Sequence, residues 1–89
     1  MSFVRLAFSS SGPRPLSAMA EREAGVVVEV RAVSEGRADR LLALGVTPGA
    51  RVTMLQRFPG VVFLCDQTEL AVERAVADAI LIRPMELGS

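Results

Sequence analysis

The chain has 89 residues, of which 51% are hydrophobic and 22% charged, with Lys+Arg 10 balanced by Asp+Glu 10. That length sets a single domain, and the composition excludes a disordered chain, which would bury too little apolar surface to offset its ordering entropy. Zero net charge argues against nucleic acid as the main partner, one cysteine excludes a disulfide-stapled fold, and the lack of histidine removes the commonest acid–base group and transition-metal ligand.

The chain opens with apolar residues (Phe3, Val4, Leu6, Phe8), too few to cross a bilayer and without the charged start and longer apolar centre of a secretory signal. A cytoplasmic protein with no direct membrane insertion is expected. This arm either adds an edge strand, covers an apolar face or serves homo-oligomer assembly. Residues 9–15, small and proline-bearing, read as a joint, so that 1–15 forms a flexible or edge-strand extension to a folded unit over 16–84, with a tail at 85–89.

Residues 16–25 read as a lead-in ending in a turn at Gly25. Residues 26–33 form the clearest strand, with Val26, Val28, Val30 and Ala32 on one face and Glu29 and Arg31 on a half-wet opposite face. Good helix formers over 37–44 predict a short helix with Ala38, Leu41 and Leu44 on its buried stripe. Gly45 follows as its left-handed cap. The next residues, Val46, Thr47, Pro48 and Gly49, predict a turn in which proline presets φ and glycine takes the positive φ of a type II turn.

A second strand is expected over 50–56, with Val52 and Met54 alternating with Arg51 and Thr53, and Arg57, Phe58, Pro59 and Gly60 interrupt it. A third strand over 61–65 turns at 66–68 and returns over 69–72; a helical turn at 73–78 leads to a last strand over 79–83, stopped by Pro84. Short strands with Gly and Pro punctuation predict an all-β fold, a small barrel of about five strands with the helix inserted between the first two core strands. One short helix cannot cover a sheet face, and is expected to plug the barrel's open end.

The run from Arg40 through Leu41, Leu44 and Gly45 to Pro48 and Gly49 resembles the signature of the FeoA family, in which an Arg-Leu pair on a short helix precedes Leu-Gly or Met-Gly, an aliphatic residue and Pro-Gly. The flanking valine strands and the closing aliphatic strand match as well, over about residues 16–82. The resemblance implies an SH3-like barrel acting as a cytosolic accessory of bacterial ferrous iron uptake, bound to a membrane iron transporter with a GTPase domain (FeoB-like). It also implies kinship with the C-terminal domain of iron-dependent repressors, so the alternative is a metal- or ligand-sensing regulatory domain. Family members often carry a Pro-Leu-Gly-Asp-Pro-like stretch before the third strand. Phe58, Pro59 and Gly60 stand in its place, which puts the identity of the partner in question.

For function, Arg40 either pairs on the surface with Asp39 or Glu35, or anchors a loop or partner carboxylate through its planar fork. Arg57 and Phe58 are partner-binding candidates; the alternative for Phe58 is to fold back over the barrel end. Cys65, Asp66 and Glu69 are weak metal candidates, because a stable site needs three or four ligands fixed in space and Cys65 reads better as a small buried hydrophobe. No cofactor is expected. Without a paired nucleophile and base or a phosphate-cradling loop, an enzyme is not expected either.

Overall fold

Alternation of side chains builds the sheet. The computed structural model describes residues 12–31 and 35–85; the apolar arm at residues 3–8 and Ala32 lie outside them. Six strands, β1 (Arg14–Pro15), β2 (Ala24–Val30), β3 (Arg51–Gln56), β4 (Val61–Cys65), β5 (Thr68–Val72) and β6 (Ile80–Pro84), form one sheet in the order β1-β6-β2-β3-β4-β5, with every neighbouring pair antiparallel. Helices α1 (Glu35–Ala43) and α2 (Arg74–Asp78) complete the fold. In β3 and β4 the alternation is clean: Val52, Met54, Val61, Phe63 and Cys65 point inward and are buried. Val72 and Leu70, paired with Val61 and Phe63, extend the same inner face.

The valine strand departs from expectation. Val27 is buried, whereas Val26 and Val28 are only half-buried. The register against β6 shifts between Val27 and Glu29, so Val28 is the extra residue of a bulge. The bulge turns the strand and lets Val27 and Val30, three apart, both meet the core. Gly25 is likewise no turn. It sits within β2, opposite Val52 and Pro84, and a Cβ there would meet the Ile82 side chain and approach the Arg83 carbonyl oxygen to 2.7 Å. Glycine is needed for the close approach of β2 and β6.

Residues 14–19, divided in the sequence between the extension and the lead-in, join the fold together. Arg14 and Pro15 pair with Ile82 and Leu81 as the sheet's edge, where the missing proline N–H costs no ladder bond in the interior. Leu16 and Met19, on and just after a 3-10 turn at Leu16–Ala18, are fully buried. The Ser17 hydroxyl donates to the Asp78 carboxylate, joining this turn to α2.

Helix α1 contributes Leu41 to the core, while Leu42 and Leu44 are 62% and 43% exposed. The reason lies in how the helix stops. Val46 N–H donates to Leu41 O and Gly45 N–H to Leu42 O, the paired bonds of a Schellman cap with Gly45 at φ 91. That cap carries Leu44 out of the helical stripe and brings Val46 down beside Leu41, so Val46 takes the buried place expected of Leu44. A type II turn follows at once, Ala50 N–H donating to Thr47 O with Gly49 at φ 98. Val27 and this turn exchange two bonds, Gly49 N–H to Val27 O and Val27 N–H to Ala50 O, each 2.8 Å. Leu41, Gly45, Pro48 and Gly49 therefore form one structural device that docks the end of α1 onto the bulged strand.

Candidate functional site

Two surface features border the start of α2. The first is a cleft of about 300 Å³ between α1 and the β5–α2 junction. Arg37 and Arg40, one helical turn apart on α1, line one side; Leu41, Val72 and Val76 provide apolar lining, and Glu73 lies opposite. Arg37 Nη2 is 2.9 Å from Glu73 Oε1. Glu73 is the N-cap residue of α2, yet its carboxylate makes no cap bond and goes to Arg37 instead. Both partners are half-exposed, so the pair is worth under about 1 kcal/mol and serves as a loose tie between the helices. None of the ion pairs among the described residues includes Arg40, so Asp39 does not hold it; the Glu35 side chain lies outside those described.

The second feature is the loop at residues 57–60. Phe58 is 67% exposed, so its ring has not folded back over the barrel. The Arg74 guanidinium lies over that ring, 4.6 Å from its centroid, and Arg74 Nη2 donates to Arg57 O at 2.8 Å. One arginine thus fixes both the loop backbone and the aromatic face, a stacking worth about 0.5–1 kcal/mol at an exposed site. Arg57 itself is half-buried, with Nε enclosed and lacking an acceptor among the described residues. Its carbonyl is the engaged group. Because Val72, Glu73 and Arg74 are consecutive, the loop and the cleft adjoin, bringing the three partner candidates Arg40, Arg57 and Phe58 toward one side of the molecule.

The metal candidates are not brought together. Cys65 is buried, its thiol donating to Gly45 O at 3.6 Å, and burial, with the Asp66 charge second, pushes its pKa up. A thiol held protonated is a poor ligand. Cys65 pairs across the hairpin with Thr68 and Leu64 with Glu69, so Cys65 and Glu69 point to opposite faces of the sheet. Asp66 occupies the turn at φ 56, exposed. Among the described residues no three of His, Cys, Asp and Glu gather into a metal-holding group.

Arg37 and Glu73 carry no local sequence signal that marks them as site residues. Arg74 offers the one signal that was available, an arginine directly after a strand and opening a helical turn. Its partner Phe58 lies sixteen positions earlier, and only the β4–β5 hairpin folds the two together.

The FeoA domain family matches residues 14–84. Among solved structures, the chain is similar to an iron uptake regulatory protein, FeoA, at 25% identity and TM-score 0.73, covering 82% of this chain and 99% of that one. A FeoA from Stenotrophomonas maltophilia, complexed with zinc and described as a prokaryotic SH3 domain protein, is 23% identical with TM-score 0.68, covering 76% of this chain and 87% of that one. A manganese-dependent transcriptional repressor shares the fold at 18% identity and TM-score 0.77, over 84% of this chain and 43% of the repressor. No curated protein matches by sequence. The fold is therefore SH3-like, and no helix among the described residues is long and apolar enough to cross a membrane.

Proposed function

The chain belongs to the FeoA family of ferrous iron transport, and from that premise we propose that it is a cytosolic accessory that docks on a membrane iron transporter bearing a GTPase domain and regulates its uptake. The observation that carries this reading is Phe58. A soluble domain of this size has few apolar side chains to spare, and here a phenyl ring is displayed on a loop instead of being buried. Arg74 stacks on it from one side. An exposed aromatic with an adjoining guanidinium is the composition of a binding hot spot, since aromatics and arginine dominate such sites.

Mechanistically, the domain acts by contact. Nothing in the site pairs a nucleophile with a base, so regulation would come from the differential affinity of this surface for two states of the transporter. The repressor-like alternative of metal sensing is weakened by the opposed faces of Cys65 and Glu69. The test is co-purification with the transporter together with ferrous iron uptake in a deletion strain. Uptake should fall in the deletion strain and return with the intact gene, and Phe58→Ala should fold normally yet fail to restore it. Unchanged uptake on deletion, with no complex recovered, defeats the reading.

A further inference from the structure

We infer that the cleft between α1 and the end of β5 receives an extended acidic segment of a protein partner, its carboxylates meeting Arg37 and Arg40 and its aliphatic side chains resting on Leu41, Val72 and Val76. Three observations converge. The cleft lining holds two guanidinium groups and one carboxylate, Glu73, which pairs with Arg37, so one positive charge is left over beside apolar side chains. Arg57 and Arg74 stand beside it, so positive charge concentrates here in a chain whose net charge is zero. Finally, β5 ends the sheet, and no strand pairs with its outer edge among the described residues. An unpaired edge offers backbone donors and acceptors to an incoming strand.

Charge also sets the direction. The Thr68 end of β5 carries Asp66 and Glu69, both exposed, whereas the Val72 end meets the arginines. Carboxylates are repelled at the first end and drawn to the second, so the acidic residues of the incoming segment lie toward Val72. Planar arginine forks suit carboxylates in bidentate geometry, and the apolar lining favours a protein segment over a polyphosphate, which has no aliphatic groups to bury.

This goes beyond the transporter reading, because it names the chemistry of the bound segment and holds for any partner that carries one. The experiment titrates the isotopically labelled full chain with a short capped peptide of alternating valine and glutamate, followed by amide chemical shifts, with the glutamine-for-glutamate peptide as comparison. Saturable shifts are expected at Arg37, Arg40, Leu41 and residues 71–74. The neutral peptide and the Arg40→Glu variant should each bind about tenfold more weakly. Arg40→Gln, which spares the helix a new charge, should fall between, and Arg83→Gln on β6 should match the parent. No saturable shifts, shifts centred elsewhere, or equal binding of the neutral peptide overturn the inference. A peptide that maps to the cleft while the transporter does not bind removes only the transporter reading. A transporter that binds while the peptide does not removes only this one.

Discussion

The two helices differ in a way that their lengths conceal. Helix α2 has five residues and buries Val76 and Ala77, packed beside the 3-10 turn and tied to it through Ser17 and Asp78. Helix α1 has nine residues and sends Leu41 alone into the core. The short helix is structural; the long one is displayed. The difference teaches that a helix can be held by its end. A Schellman cap followed by a type II turn secures α1 through backbone bonds to β2, leaving most of its surface for something else.

That contrast can be broken experimentally. If Leu41 is the one side chain anchoring α1, Leu41→Ala should cost about 2–5 kcal/mol in urea unfolding. A loss under about 1 kcal/mol would mean the cap alone is sufficient. Ala77 is fully buried, so Ala77→Leu should overpack the α2 side by about 1–3 kcal/mol, again read from the denaturation midpoint. Gly45→Ala meets no atom within 4 Å and is penalised only through its φ of 91, a loss of about 1 kcal/mol in thermal unfolding. Should it cost nothing, the cap is not what holds the helix.

Leu42→Ser, on the exposed face of α1, should change stability by no more than about 0.5 kcal/mol. The smallest effect belongs to Cys65, whose thiol meets the Gly45 carbonyl beneath the same cap. Because burial raises its folded pKa, the native state holds the proton more tightly than the unfolded chain does. Its contribution is whole below the ordinary thiol range of about 8.5 and is lost as pH rises above it, so stability should decline slightly there. Alkylation of the native thiol should be far slower than in denaturant; equal rates would contradict the burial.

How much of this was legible in the sequence depended on which period applied. Strands β3 and β4 could be read residue by residue, because Val52, Met54, Val61 and Phe63 alternate with wetter neighbours and no bulge intervenes before Met54. The valine run of β2 gave no such contrast: four valines within five residues look alike from either face, and the bulge at Val28 moved the inward set. Leu44 misled for a related reason. Helical periodicity places it with Leu41, yet Gly45 ends the helix before that periodicity applies, and the buried position passes to Val46. Leu16 and Met19 carry no legible signal, because the 3-10 turn that buries them is too short to show a period. At the candidate site, Arg40, Arg57 and Phe58 were identifiable one by one, while the stacking of Arg74 on Phe58 and the tie from Arg37 to Glu73 depend on tertiary geometry that no local spacing encodes.

The position of β6 between β1 and β2 has a consequence for how the chain is made. The strand translated last among the six is the one that separates the two earliest, so a nascent chain still lacking residues 80–84 holds a three-strand meander, β3 to β5 with β2 alongside, and no partner for β1. The 3-10 turn packs on α2 and β6, so Leu16 gains its cover only once residues 74–84 have been made. Pairings across such sequence distances are slow to close. A chain paused before β6 is made therefore keeps β1 and β2 apart, and synthesis of that strand closes the sheet last.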